Sequence, residues 1–202
     1  IDPDYELAQG LLEWIDELEE WDETAVQWHR NAETYWERQR QRDLAWRERL
    51  QGSLSTSSPA LAEALPLYTK EALTGMAREV IPWGGWTSFR KAELIDEIID
   101  ALTKPENLKR VIRSLGAEER GALRTVLKRG GSMPWDAFDA RYGNDLEESR
   151  YWNWHTPETA MGQLRFHGLL VETTVDEELY VAVPTDLHEN LRRILDQNSP
   201  GQ

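Results

Sequence analysis

Apolar residues recur at alternating steps of four and three positions through the first 35 residues of the chain. The repeat runs unbroken through Leu7, Leu11, Trp14, Leu18, Trp21, Ala25, Trp28, Ala32 and Tyr35. This is the heptad spacing of a helix that buries one seam against another helix. With a helix start at Asp2-Pro3 and a stop near Gly52, it predicts that residues 1–52 form a long Trp-rich helical arm.

The apolar seam of this arm must be buried against another surface, because an apolar face of that length is not stable alone in water. Three arrangements stay open: pairing with a second copy, a hairpin within the arm, or contact with another protein. In each case the seam is a packing surface. We therefore expect a protein interface or self-association through Leu11, Trp14, Leu18, Trp21, Trp28 and Tyr35.

Small polar residues follow the arm and predict a linker at 53–59. Residues 60–104 then read as a helical module. Thr69 is expected to cap its main first helix, Pro82 to end that helix, and Ser88 to cap the second. The sequence Trp83-Gly84-Gly85-Trp86 forms the elbow between the two helices.

This module resembles a SAP-type motif and the small helical module at the N-terminus of the Rho termination factor. The resemblance is carried by Leu73 and Ala77, by Val80-Ile81-Pro82, and by the run Arg90-Lys91-Ala92-Glu93-Leu94-Ile95 followed by Ile98. It implies a helix–loop–helix unit of the kind associated with DNA binding, in which Arg90 and Lys91 would touch phosphate.

Residues 105–197 read as a second domain, followed by a tail at 198–202. Helices are expected at 117–129, at 134–142 and, after Thr156-Pro157, at 157–167. Two β-rich runs, Leu169–Val175 and Leu179–Val183, read as a hairpin. This is the order of a winged helix-turn-helix with a two-stranded wing.

The same region, preceded by a SAP-like unit, is similar to the N-terminal accessory region of bacterial XPB-type helicase-associated proteins. The resemblance covers residues 114–138, 164–174 and 179–195. The chain has no glycine-rich phosphate loop of the Walker type, so no ATPase is implied.

Charge singles out one segment. The chain carries a net charge of −14, yet residues 105–133 hold seven basic and three acidic residues. Helical spacing places their cations on common faces, so phosphate contact is a prediction for this segment. With the SAP-like pair and the third winged helix, the candidate nucleic-acid residues are Arg90, Lys91, Lys109, Arg113, Arg120, Arg124, Lys128 and Arg165.

Other features narrow the class of protein. There is no cysteine, the four histidines are scattered, and no motif for nucleophilic or acid–base catalysis stands out. We therefore expect no enzyme, no cofactor and no metal site. No apolar run is long enough for a membrane helix and the N-terminus does not read as a secretory signal, so we expect a cytoplasmic protein with no membrane contact.

An aromatic cluster precedes the third winged helix. Tyr151, Trp152 and Trp154 are candidates for a binding platform, or for a plug between the winged unit and its neighbours. The whole sequence thus predicts a mainly α protein with a Trp-rich arm, a SAP-like hairpin and a winged helix. We expect a non-catalytic interaction or scaffolding protein. The alternative is a nucleic-acid-associated accessory protein that contacts phosphates through the 105–133 basic face.

Overall fold

The computed structural model describes residues 56–146, 148, 152 and 155–197, together with five positions of the arm. Those five, Thr34, Glu37, Arg38, Gln41 and Ala45, are helical and exposed. Gln41 Nε2 donates to Glu37 Oε1 at 3.1 Å, a contact between residues one helical turn apart. The heptad seam from Leu7 to Tyr35 lies outside the described residues. By contact density the chain divides into Ile1–Leu44 and Ala45–Gln202.

The described part of the second unit is mainly helical with one small antiparallel sheet, which confirms the predicted class. In chain order the elements are α1 (Leu61–Ala64), α2 (Lys70–Val80), α3 (Lys91–Thr103), α4 (Pro105–Ser114), α5 (Ala117–Lys128), β1 (Ser132–Pro134), α6 (Trp135–Tyr142), α7 (Ala160–Phe166), β2 (Val171–Val175), β3 (Glu178–Ala182) and α8 (His188–Gln197). Short 3₁₀ helices occupy Leu65–Leu67, Trp86–Ser88 and Thr185–Leu187.

Helix α2 forms as the sequence predicts. Thr69 Oγ1 accepts a hydrogen bond from the backbone N–H of Ala72 at 3.2 Å and so caps the first turn. The apolar stripe of the helix is buried, and the helix ends at Val80, two residues before Pro82. Helix α3 differs from the prediction, because its N-cap is Arg90. Ser88 instead donates to the carbonyl of Gly85 at 2.9 Å within the 3₁₀ turn of the elbow.

The predicted hairpin forms from β2 and β3, with Val171 opposite Ala182. A third strand, β1, pairs antiparallel with β3 and gives the order β1-β3-β2. Sequence analysis missed β1 because three residues after a Gly-Gly pair show no readable alternation. Asp176 and Glu177 form the hairpin turn with φ values of 50° and 69°, the left-handed region that a two-residue turn of this kind requires.

One hydrophobic core runs through the described unit from Leu61 to Leu195. Helix α2 packs on α3, α4 and α7, α4 packs on α3 and α8, and α5 packs on α7 and α8. Residues on both sides of position 104 therefore contribute to one core, in which α4 and α7 cover part of the apolar surface of α2 and α3.

The end of the expected linker is bound to the sheet side of this unit. Ser58 Oγ donates to the carbonyl of Val183 at 2.6 Å, and Thr173 Oγ1 donates to the carbonyl of Thr56 at 2.7 Å. The backbone N–H of Thr185 donates to the carbonyl of Pro59 at 3.1 Å. Residues 56–59 are thus held in place by contacts more than a hundred residues away in sequence, which a reading of local composition does not detect.

Two helical glycines provide a matched test of this packing. A Cβ at Gly75 in α2 would lie 2.6 Å from the Cβ of Trp152 and 2.8 Å from its carbonyl carbon, whereas a Cβ at Gly121 in α5 meets nothing within 4 Å. We expect Gly75→Ala to lower the free energy of unfolding by about 1–3 kcal/mol through overpacking. Gly121→Ala should raise it by about 0.5–1 kcal/mol through helix propensity.

Urea unfolding followed by circular dichroism measures both changes. If Gly75→Ala were as stabilising as Gly121→Ala, the close approach of α2 to Trp152 would be wrong.

Candidate functional site

Arg165, a candidate for nucleic-acid contact, is fully buried in α7. Its Nη1 donates to Asp145 Oδ2 at 2.6 Å, and its Nη2 lies 3.3 Å from Glu172 Oε2. All three side chains are at most 3% exposed. The prediction for Arg165 is therefore corrected: the guanidinium is held inside the protein by two carboxylates and is not presented to phosphate.

This buried cluster ties together three separate parts of the chain, because Asp145 follows α6, Arg165 is in α7 and Glu172 is in β2. Burial by itself acts to lower the pKa of the Arg165 guanidinium. The carboxylates of Asp145 and Glu172, with Tyr68, outweigh that effect and raise the pKa above its ordinary value. The guanidinium therefore stays charged, and its position depends on both carboxylates.

The N-terminus of α7 is occupied by another side chain of the same chain. Glu148 Oε1 accepts from the backbone N–H groups of Glu158 at 3.0 Å and Thr159 at 2.6 Å. Thr159 is the N-cap, with Oγ1 accepting from Gly162 N at 3.1 Å, so the helix begins three residues later than the predicted start at Pro157. Three donors at this helix end, the N–H groups of Glu158, Thr159 and Gly162, are therefore satisfied internally.

The remaining polar side chains of α7 also face the protein. Gln163 Nε2 donates to the carbonyl of Pro157. His167, just after the helix, donates from Nδ1 to the carbonyl of Gln163 at 2.8 Å. Burial lowers the pKa of His167, against the smaller raising effect of that hydrogen bond, so the ring favours its neutral form. Helix α7 has a structural role in all these contacts.

Trp152 is a packing residue and not an exposed platform. It is 2% exposed, with its ring 5.9 Å from Tyr68 and 5.7 Å from Phe166 between centroids. Arg78 Nη2 donates to its carbonyl at 3.1 Å. The prediction of Trp152 as an interface residue is corrected, because its side chain is buried between Tyr68 and Phe166. Tyr151 and Trp154 lie outside the described residues.

Several candidate basic residues contact backbone carbonyls. Arg120 donates to the carbonyl of Leu115 at the end of α4, and Arg124 Nη2 donates to the carbonyl of Leu195 at 3.1 Å near the end of α8. In the central module, Lys91 Nζ donates to the carbonyl of Pro66 at 2.7 Å. A cation near a helix C-terminus stabilises the unsatisfied carbonyls there. This structural role accounts for Arg120, Arg124 and Lys91.

The other candidates are placed differently. Arg90 and Arg113 are exposed and Lys109 is half-buried. Arg110, which sequence analysis did not single out, donates from Nη2 to the carbonyl of Val80 at 2.8 Å and so holds the end of α2. The predicted basic face is therefore divided between structural and free cations.

A pocket between α5 and α8 brings Arg124, which is bound to the carbonyl of Leu195, close to Lys128 and Arg192. It has a volume of about 230 Å³ and is lined by Arg124, Leu127, Lys128, Arg192, Leu195 and Asp196. Sequence analysis found Arg124 and Lys128 but missed Arg192, which lies 64 positions beyond Lys128 in the sequence. Only the packing of α8 on α5 brings it close. We call this feature the α5–α8 pocket.

Comparison of the chain with protein families, with characterised proteins and with solved structures finds no match. Across the described ranges, no group of three or more His, Asp or Glu side chains is placed to hold a metal ion. In the same ranges no helix is both long enough and apolar enough to cross a membrane.

The buried ion cluster makes a stability prediction. Arg165→Met leaves Asp145 and Glu172 buried without their cation, so we expect the free energy of unfolding to fall by about 3–5 kcal/mol. Arg113→Met, at an exposed position of α4, should change it by less than about 0.5 kcal/mol. Urea unfolding measures both.

A rescue variant separates charge from packing. Adding Asp145→Asn and Glu172→Gln to Arg165→Met removes the unpaired charges and should recover part of the loss. A triple variant that is less stable than Arg165→Met alone would contradict the electrostatic explanation.

Proposed function

We propose that residues 117–183 form a winged helix that serves as a protein-interaction module in a non-catalytic scaffolding protein. The support for the fold is the element order: helix α5, strand β1, helices α6 and α7, then the β2–β3 hairpin in a sheet of order β1-β3-β2. A winged helix-turn-helix has this order of helices followed by a hairpin wing. In such a fold α7 is the helix that would read DNA, so its contacts bear on the function.

The observation that carries the protein-interaction proposal is the internal use of α7. A DNA-reading helix presents several hydrogen-bond donors to base edges. In α7 the Arg165 guanidinium is buried against two carboxylates, and Glu148 holds the N–H groups that precede the helix. The hairpin turn adds exposed Asp176 and Glu177, which repel phosphate. A protein partner suits this arrangement better than a DNA groove.

The SAP-like module contributes to the same unit as a docking hairpin. Helices α2 and α3 share the core with α4 and α7, and Lys91 is engaged with the carbonyl of Pro66. Trp83 in its elbow is 44% exposed and lies under the Lys104 ammonium, 5.6 Å from the ring centroid. These contacts favour a packing role for the elbow and not a role in binding phosphate.

The alternative function, phosphate contact through the 105–133 basic face, has one observation in its favour. Arg113, Lys128 and Arg129 are exposed cations in that segment. It is weakened because Arg120 and Arg124, at the centre of the predicted face, donate to backbone carbonyls. The net charge of −14 also disfavours a polyanion.

Fluorescence anisotropy with labelled duplex and single-stranded DNA tests the choice. At low salt, about 50 mM, we expect no saturable binding up to about 100 μM protein, the weak end of the non-specific range of typical DNA-binding proteins at physiological salt. Binding that weakens steeply with salt and is lost on Arg113→Glu with Lys128→Glu would overturn the proposal in favour of the alternative.

A second prediction concerns the arm. If the Trp seam drives self-association, light scattering should give a dimer or larger species for the full chain and a monomer for residues 45–202. The shorter chain begins at the observed unit boundary, and it retains the contacts of Ser58 and Pro59 that a start at residue 60 would remove. Two monomeric species would show that the arm does not self-associate and would leave another protein or an internal hairpin as its cover.

A further inference from the structure

We propose that the α5–α8 pocket binds an acidic segment of a partner protein, with a carboxylate-bearing side chain against its cations and a neighbouring apolar side chain on its floor. This inference rests on the proposed function as a protein-interaction module and names the site and the chemistry of the partner.

The first support is an excess of positive charge in the pocket. Arg124, Lys128 and Arg192 line it together with a single carboxylate, Asp196. Among the described residues none of these three cations lies within ion-pair distance of a carboxylate. Charges that share a concave surface interact more strongly than charges on an open face, because water screens them less. The pocket therefore attracts an anion that the described protein does not supply.

The second support is the fixed position of Arg124. Its Nη2 donates to the carbonyl of Leu195, which anchors the guanidinium across the α5–α8 contact. Its Nε is buried, with no acceptor among the described residues. An arginine held by one backbone bond keeps further donors in a fixed plane, which suits a carboxylate and reduces the entropy lost on binding.

The third support concerns hydrogen bonding near these cations, where the backbone N–H groups that follow α5 already have carbonyl acceptors. Gly130 N–H donates to the carbonyl of Leu127 at 3.2 Å, and Gly131 N–H donates to the carbonyl of Val126 at 3.0 Å. These bonds close the C-terminus of α5. The side chains of Lys128 and Arg192 are exposed and make no hydrogen bond within the described ranges, so they are available to a ligand.

The apolar floor distinguishes a peptide from a nucleic acid. Leu127 and Leu195 line the pocket beside the cations. A sugar–phosphate backbone gains nothing from an aliphatic floor, whereas a leucine or aromatic side chain next to a glutamate does. The volume of about 230 Å³ accommodates one or two side chains and is below the usual range for pockets that bind small molecules.

The test uses the full chain and a fluorescein-labelled synthetic peptide that carries four glutamates around one leucine. We expect saturable binding by anisotropy that weakens with salt. Two control peptides replace the glutamates by glutamine or the leucine by glycine, and each should bind more weakly, since each removes one half of the proposed recognition.

Protein variants locate the site. Lys128→Glu combined with Arg192→Glu should weaken peptide binding at least about tenfold, because two cations of the pocket are reversed. The matched control is Arg129→Glu combined with Arg193→Glu, which makes the same change in net charge at adjacent exposed positions that do not line the pocket. We expect less than about a twofold change for the control, since exposed charges outside the site act weakly.

Three outcomes would overturn the site. They are no saturable binding of the glutamate–leucine peptide, equal losses in both double variants, or tighter binding of the leucine-free peptide. If the peptide does not bind and DNA does not bind either, the pocket assignment fails while the proposed function stands. A different result is that an oligothymidylate displaces the peptide and that the oligothymidylate no longer binds the Lys128→Glu and Arg192→Glu variant. The pocket assignment and the proposed function then both fail.

Discussion

The buried Arg165 with its two carboxylates organises the C-terminal half of the described unit. One guanidinium joins the segment after α6, helix α7 and strand β2, at distances of 2.6 Å to Asp145 and 3.3 Å to Glu172. Removing one partner of a buried ion pair leaves an uncompensated charge, so the cluster favours the arrangement in which all three elements are in place. Tyr68 extends the cluster to the segment before α2. The same interaction removes from the surface the arginine that a DNA-reading helix would need.

A second constraint joins the central module to this half. Trp152 fills the space between Tyr68 and Phe166, and its backbone lies against Gly75, where a larger residue does not fit. Helix α2 can approach Trp152 only because residue 75 has no Cβ. Trp152 is thus an internal packing residue that joins α2 to α7.

Particular residues show how far sequence reasoning reached. The cap at Thr69, the stripe of α2 and the β2–β3 hairpin depend on neighbours within a few residues, and the sequence predicted them. The start of α7 was misplaced because Glu148, ten residues away, satisfies the backbone donors before the helix. Arg165 and Arg124 look alike in sequence, yet one is buried between carboxylates and the other lines a pocket. The local sequence pattern does not show which arginine contacts a carboxylate and which lines a pocket.

The sequence by itself determined the helical class, the β2–β3 hairpin and the acidic character of the chain, because periodicity, caps and charge are local or additive properties. It also predicted the heptad arm, whose seam lies outside the described residues. Only the tertiary structure decided that residues 61–195 share one core, that residues 56–59 are bound to the sheet side, and that Arg192 joins Arg124 and Lys128. The physical reason is that burial and charge pairing depend on contacts between residues distant in sequence.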